Sequence, residues 1–471
     1  MNLLSLFARS GRMAALVPLV TFSLFAADGA SRPPNIVLIL ADDLGWADVA
    51  CYGNTFNETP NIDRLAEQGV RFTQFYAGPV CSPTRTNIQS GQDQARHGIT
   101  QHIPGHRRPF AKLIDPVVPH QLPLEVETFA ERLRASGYAT GYFGKWHLGG
   151  EGFGPQDQGW QTAIEHVGAT VPPRVSGGTE IRRSAEFLTE KALGFIEQNK
   201  DKPFLLQVSH SAVHIPLSTT PDLLNKYRGK KAMPGYPSRP EYAGYLEELD
   251  RSVGAIADAL DRLGLGKNTL MVFVSDNGGL EHEQSGRIVT SNLPLRGEKG
   301  SLYEGGIRVP AVARWPGRIP AGKLSDAVAT TTDLYSTFLD VGGATPPPKD
   351  KQPLDGISLA ALLKDPATRL ARDSVYWHLP HYHHSTPASA IRRGDWKLIE
   401  FFEDNALELY NLRSDPGEKT NVAKQESRKM QELHVALVAW RQKVGAQMPT
   451  PNPKYDPKRA SEMGKGVGKA R

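Results

Sequence analysis

The chain has 471 residues, 39% of them hydrophobic, with 45 Gly, 36 Pro and a formal net charge of +5. This composition excludes collagen-like and compositionally disordered classes, and the length allows one large α/β domain with a small appendage or two or more units. The charge is modest for the size and the basic residues are dispersed except near the C-terminus, so no nucleic-acid partner is indicated, while a mildly basic cleft for an anionic substrate is compatible.

In chain order, residues 1–27 read as an export signal. Arg9 and Arg12 precede an apolar run from Ala14 to Ala27, broken by Pro18 and short of the about 20 residues that a membrane span needs. The expected location is therefore periplasmic or secreted, with no membrane span after signal removal. A catalytic domain is expected over 34–345. It opens with Asn35-Ile36-Val37-Leu38-Ile39-Leu40, a continuous β-branched run that reads as a buried parallel strand, followed at once by Asp42 and Asp43. Thr59-Pro60 starts a helix that Gly69 ends. Cys81-Ser82-Pro83-Thr84-Arg85 reads as an exposed turn before a helix over 84–89.

Helices follow at 129–136, 183–198 and 242–263, and apolar strands at 138–143, 203–208 and 269–274, the last running into Asp276-Asn277. Strands alternating with helices argue a large, mostly parallel sheet covered on both faces. Ligand groups of such sheets gather past the carboxyl ends of the strands, where Asp42, Asp43, His210, Asp276 and Asn277 all lie. After a Pro- and Lys-containing linker (346–374), residues 375–448 read as a smaller C-terminal α+β subdomain. It has short antiparallel strands around 389–392, 396–399 and 408–412 and one long helix over 422–444. The basic residues 449–471 read as a loose tail.

The chemistry-bearing residues fall at these element ends. Three carboxylates and one amide oxygen (Asp42, Asp43, Asp276, Asn277) are hard donors suited to Ca²⁺ or Mg²⁺ rather than zinc. Adjacent carboxylates repel unless a cation lies near. Arg85, four residues after Cys81, returns to the same helical face, and a helix N-terminus at Cys81 favours negative charge. Lys145 and His147 stand two apart after a strand, His214 sits in His214-Ile215-Pro216, and Lys299 lies in a glycine-bounded loop. The second cysteine, Cys51, reads as a small buried apolar residue in preference to a disulfide partner of Cys81.

Taken together, Cys81-Ser82-Pro83-Thr84-Arg85, Gly144-Lys145-Trp146-His147, Ser275-Asp276-Asn277-Gly278-Gly279 and Gly305-Gly306-Ile307-Arg308 resemble the type I, formylglycine-dependent sulfatases of the alkaline phosphatase superfamily. The resemblance spans nearly all the chain after the signal, and is strongest to bacterial exported carbohydrate sulfatases of the N-acetylgalactosamine-6-sulfatase-like or arylsulfatase A-like branch. It implies an alkaline-phosphatase-like fold and a sulfuric ester hydrolase whose Cys81 is converted to formylglycine by a separate maturase. It further implies Ca²⁺ held by Asp42, Asp43, Asp276, Asn277 and residue 81. Arg85 would hold the hydrated aldehyde, and Lys145 and Lys299 would bind sulfate oxygens. Asp276 would help activate the attacking hydroxyl, His214 and Lys299 would serve the leaving alcohol, with His210 as a weaker rival, and His147 would assist breakdown of a covalent sulfated enzyme.

The substrate side is less determined. Tyr376 to His384, with His378, His381, His383 and His384, combines aromatic surface and donors of the kind that hold sugars, and 101–108, with His102, forms a second wall. A transition-metal site is a rival reading of the histidine run. The expected substrate is a sulfated glycan, with a terminal galactose or N-acetylgalactosamine 4-O-sulfate first and a 6-O-sulfate next. Two other functions share these residues: a phosphodiesterase or phosphonate monoester hydrolase of the same superfamily, and a noncatalytic Ca²⁺-dependent glycan-binding protein with residue 81 inert. Oligomeric state is not legible.

Overall fold

The first apolar run becomes the central strand of the molecule, and all seven of its residues are buried. The structure, a computed structural model, describes residues 32–464, so the export signal expected over 1–27 lies outside the described residues. The main sheet contains β1 (Asn35–Ala41), β2 (Val70–Tyr76), β3 (Ala139–Gly144), β4 (Thr162–Glu165), β5 (Phe204–Ser209), β6 (Thr269–Ser275), β7 (Arg308–Arg314), β8 (Lys323–Ser325) and β9 (Ala329–Thr330). Their spatial order is β8-β2-β7-β6-β1-β5-β3-β4, with β9 also on β2. Only β7 runs antiparallel to its neighbours in this sheet. The sheet is thus large, mixed and mostly parallel, as the alternation of strands and helices indicates.

A parallel strand paired on both sides and covered on both faces needs apolar side chains in both directions, which explains the unbroken run of β1. Helices α1 (Pro60–Glu67), α2 (Cys81–Ser90), α3 (Phe129–Ala135), α4 (Ser184–Asn199), α5 (Pro240–Arg262) and α6 (Thr332–Gly342) supply the cover. Val37, Ile39 and Ala41 share one core with Ile62 and Leu65 of α1, Phe187 and Leu188 of α4, and Leu246 and Leu249 of α5. Helix α3 starts at a capping box, in which Thr128 accepts from the Glu131 N–H and Glu131 accepts from the Thr128 N–H.

The C-terminal sheet is antiparallel, β10 (Ser374–Leu379), β11 (Ala388–Arg393), β12 (Trp396–Phe401) and β13 (Leu407–Asn411) in sequential order, with α7 (Ser427–Val444) against one face. Its other face packs Val375, Trp377 and Ile399 against Tyr76, Leu302 and Ile307. Strand β10 takes in Tyr376 to Leu379 of the run expected to hold sugars. In the fold its alternate residues Val375, Trp377 and Leu379 enter that core instead. Residues 450–464 do not hang loose. Thr450 and Pro451 pair with Ile114 and Leu113, Asn452 donates to two backbone carbonyls, and the Arg459 guanidinium lies 3.4 Å from the Phe110 ring centroid. Among the described residues, no helix is long and apolar enough to cross a membrane.

Candidate active site

The register of two parallel strands assembles the acidic centre. Ala41 of β1 lies opposite Ser275 of β6, so the residues that follow, Asp42-Asp43 and Asp276-Asn277, emerge side by side. The Asp43 N–H donates to Asp276 Oδ1 at 3.2 Å, and Asn277 Nδ2 donates to Asp43 Oδ1 at 2.9 Å. Strand β3 ends at Gly144 and delivers Lys145, whose Nζ lies 2.5 Å from Asp42 Oδ2. Arg85, one turn into α2, donates to Asp276 Oδ2 from Nε at 3.1 Å and Nη2 at 2.8 Å, and to the Lys145 carbonyl at 2.5 Å. Lys299 arrives from its glycine-bounded loop and bridges the two Asp43 oxygens at 2.7 and 2.8 Å. Three cations therefore face three carboxylates, all of them buried.

Burial raises the Asp42 carboxyl, but Lys145 and the neighbouring positive groups outweigh it and hold the group below the usual carboxylate range. Asp276 goes the other way. Burial and the adjoining Asp42 charge push it up to about 6 in spite of Arg85.

Cys81 is the first residue of α2, and its Sγ lies in one cluster with ligand atoms of Asp42, Asp43 and His214, all within 4.8 Å of one another. The expected exposed turn is incorrect. The helix starts three residues earlier than its sequence suggests, and all ten of its residues are buried, Cys81 to 2% exposure. Burial pushes the thiol up to about 11, so it is protonated at neutral pH. Cys51 and Cys81 are both free, and Cys51 packs half-buried against the main core.

Cys81 opens onto a cavity of about 770 Å³ that also takes in Lys145, His147, His214, Lys299, His102, His383 and His384. His147 Nε2 donates to the Ile103 carbonyl at 2.6 Å, which fixes the tautomer and leaves Nδ1, buried and without a partner, as the basic nitrogen. Burial, aided by Lys145, holds this imidazole down to about 3. His214 Nδ1 donates to the Ile215 carbonyl at 2.6 Å, and its Nε2 faces Asp43 Oδ2 at 3.6 Å.

Two family models match the chain. "Sulfatase" covers residues 34–344 and "N-sulphoglucosamine sulphohydrolase, C-terminal" covers residues 297–443. The chain belongs to the sulfatase family. This sulfatase is 31% identical to a sulfatase of Formosa agariphila over 87% of each chain. It is 32% identical to human arylsulfatase A over 85% of each, and 34% identical to canine N-acetylgalactosamine-6-sulfatase over 71% of this chain and 66% of that one. Among solved structures, Ps i-CgsB in complex with k-i-k-neocarrahexaose superposes with a TM-score of 0.75 at 27% identity, covering 90% of this chain and 95% of that one. The PsFucS1 sulfatase from Pseudoalteromonas sp. gives 0.71 at 27% identity, covering 90% and 92%. The protein is a sulfuric ester hydrolase with an alkaline-phosphatase-superfamily fold.

The residues of the sulfatase fit a divalent cation. Asp42 Oδ1 and Asn277 Oδ1 are buried and accept no hydrogen bond, which is costly unless a positive ligand meets them. The donor set, carboxylates and one amide oxygen, suits a hard cation. In this arrangement the Lys145 and Lys299 ammonium groups neutralise Asp42 and Asp43.

Three expected site histidines are placed elsewhere. His378 belongs to β10 and is sealed inside: it accepts from Ser389 Oγ at 2.6 Å and donates to the Gln447 carbonyl at 2.8 Å. His381 is buried, bonded to Thr100 at 2.7 Å, and lines a neighbouring cavity of about 520 Å³ rather than the one at Cys81. His210, the rival for the leaving-group role, packs under α5 against Ser252 at 3.1 Å and does not line the Cys81 cavity. Conversely, His120, Glu165 and His282 line that cavity without a motif that singles them out.

These sealed imidazoles predict acid sensitivity. Burial holds His378 down to about 3 and His210 to about 4, against an unfolded value of 6.5. Each contributes stability that is fully present above 6.5 and is lost as pH falls toward the folded value, because only the unfolded chain takes up the proton in that window. The urea midpoint should fall steadily as pH is lowered from 6.5 toward 4, less steeply in His378→Gln. A midpoint that stays constant over that window would contradict the assignment.

Proposed function

We propose that the sulfatase removes a 4-O- or 6-O-sulfate from a terminal galactose or N-acetylgalactosamine of a sulfated glycan. It would use formylglycine made from Cys81 by a maturase, and Ca²⁺. The observation that carries this reading is the convergence of Arg85, Lys145 and Lys299 on three buried carboxylates around residue 81, at the end of a cavity large enough for a sugar. A buried thiol held protonated makes a poor nucleophile, which argues for a modified residue 81.

Asp42, Asp43, Asp276, Asn277 and residue 81 would hold the cation, which supplies positive charge to the sulfate oxygens when bound. Formylglycine supplies a hydrated aldehyde with two hydroxyls on one carbon, so that one can attack sulfur and the other can later release sulfate. Arg85, four residues after residue 81 on the same helix, would orient that group, and Asp276, with its raised affinity for protons, would accept one from the attacking hydroxyl. Lys145 and Lys299 present fixed ammonium groups to the equatorial oxygens of the transition state. His214 and Lys299, which line the cavity beside residue 81, would protonate the leaving oxygen. His147 Nδ1 is the available base for the second hydroxyl. A bound sulfate would offset the Lys145 and Arg85 charges and raise this imidazole toward the working range.

On the sugar side, His102, His383 and His384 line the cavity as candidate contacts, and each neutral ring offers a donor and an acceptor. The adjoining 520 Å³ cavity carries Arg107, Arg108 and Lys454, room and charge for a further anionic unit of an oligosaccharide. The likeness to Ps i-CgsB, crystallised with an oligosaccharide, supports the same reading. Sulfate release from defined galactose and N-acetylgalactosamine 2-, 4- and 6-sulfates tests it. Release from a 4- or 6-sulfate, lost to a chelator and restored by Ca²⁺, is expected. No release from any 4- or 6-sulfate would refute the substrate assignment, and faster turnover of a phosphodiester would replace it.

A further inference from the structure

Beside the oxygen-donor centre stands a second group of ligand-type side chains with different chemistry. His102, His106 and His383 place one ring nitrogen each within 4.8 Å of the others. Their ring centroids lie 4.3 Å apart for His102 and His106, 5.1 Å for His106 and His383, and 5.4 Å for His102 and His383. The cluster is built by two separate segments. Residues 101–108 form a loop held by the Ser82 hydroxyl, which accepts from the Ile103 N–H at 3.1 Å, and by Gln101, which accepts from the His106 N–H. His383 is tied to the same loop, its backbone carbonyl accepting from Arg108 at 2.8 Å.

Two observations point to a ligand. His102 Nδ1 is buried with no hydrogen-bond partner, and His383, 5% exposed, has its Nδ1 packed unpartnered against Gly300, so that its ring is held in one place beside the other two. Orphaned nitrogens on rings this closely grouped are unfavourable unless something accepts their lone pairs or their protons. The rings also cannot satisfy one another well, because edge-to-face and stacked imidazoles keep their nitrogens out of line. The nearby cations do not fill the gap, since Lys299 is committed to Asp43 and Arg108 to the His383 carbonyl. Burial holds all three rings below their ordinary value, so they stand neutral, the form that ligates a metal.

We propose that His102, His106 and His383 form a binding site for a borderline-soft divalent metal ion such as Zn²⁺, separate from the hard-cation centre. Three neutral imidazoles are a zinc-type donor set, and a fourth position remains for water or a ligand oxygen. His102 and His106 line both cavities, so an ion held there sits at their junction, on the path to residue 81. Because the same rings are candidate sugar contacts, metal and substrate would compete for them. Metal binding itself is measured without substrate, so its failure is distinct from failure of the sugar assignment.

The test is Zn²⁺ binding by untagged, full-length protein in excess Ca²⁺, measured by equilibrium dialysis and elemental analysis. One tightly bound Zn²⁺ per chain is expected. His106→Ala and His383→Gln should each weaken it at least ~10-fold, and the half-exposed His434→Ala should leave it unchanged. His106 is half-buried in a loop, so its variant tests the site even if the buried His383 variant fails to fold. No stoichiometric zinc on the wild-type protein, or equal affinity in the His106 and His434 variants, would overturn the site. Zinc that is lost in Asp43→Asn but kept in His106→Ala would assign it to the oxygen centre instead.

Discussion

Cys81→Ser should lower sulfate release by at least about 10³-fold while leaving the fold intact. Serine matches the thiol in size, and the first position of α2 imposes no conformational demand that it fails to meet. In a host whose maturase oxidises cysteine and not serine, the substituted residue stays an alcohol and does not become an aldehyde. If the substituted hydroxyl attacked sulfur it would form an ester with no second hydroxyl on the same carbon to release it, so turnover should stall even where the first chemical step survives. The surrounding charges would remain. Arg85, Lys145 and Lys299 should still bind sulfate-bearing ligands, and the loss should appear in kcat rather than in ligand affinity. A variant within ten-fold of wild type, expressed beside it in a host that matures the cysteine, would sink the role given to residue 81.

The second large effect concerns the joint between the two sheets. Lys397→Met should destabilise the protein by about 3–5 kcal/mol. Lys397, fully buried in β12, contacts Glu304 at 3.0 Å and Glu418 at 2.9 Å, both also fully buried. Glu418 in turn accepts from the Glu304 N–H at 2.6 Å, and Tyr76 donates to Glu304 at 2.7 Å. Lys397 and its neighbours hold Glu304 down to about 2 against its burial, so Glu304 is ionised. Burial pushes the Glu418 carboxyl the other way, up to about 7, so removing the ammonium strips Glu304 of its nearest cation and leaves that one buried charge beside a carboxyl that stays protonated. The single variant should unfold at markedly lower denaturant, and Lys397→Met combined with Glu304→Gln and Glu418→Gln should recover much of the loss, because the cost lies in unpaired charge. An unchanged midpoint in the single variant would show that the triad is not a stability element. Glu304 also follows the loop of Lys299, so a partial loss of activity in the single variant is expected from the same cause.

The parts of this architecture legible in the sequence are those set by local pattern. Asp42-Asp43 and Asp276-Asn277 follow apolar runs long enough to be buried strands, and parallel pairing then brings their ends together. The burial of helix α2 is not legible because its composition is polar: Thr84, Arg85, Thr86, Asn87, Gln89 and Ser90 give no apolar face that calls for cover. They are buried because they find partners, among them Thr86 with the Ser82 carbonyl, Ser90 with the Thr86 carbonyl and Gln89 with Gln207. Those partners are tertiary or one helical turn away, and composition does not reveal them. The burial of His378 is hidden for a related reason. In Tyr376 to His384 a cluster of aromatic and imidazole rings looks like a binding surface, but strand alternation turns successive residues to opposite faces, and only the pairing of β10 with β11 gives His378 its Ser389 partner. The C-terminal segment around 450–459 carries almost no periodic signal, and its order comes from contacts with 109–114. The histidines around the cavity come from widely separated stretches of the chain, so their grouping depends on the whole fold.

The central claim is that residue 81 acts as formylglycine and not as cysteine. Mass analysis of the proteolytic peptide carrying residues 81–85, taken from protein whose sulfate release has just been measured, tests it most directly. An aldehyde, trapped by a hydrazide reagent, is expected in a fraction of chains that scales with specific activity across preparations. Full activity in protein whose Cys81 is entirely an unmodified thiol would contradict it.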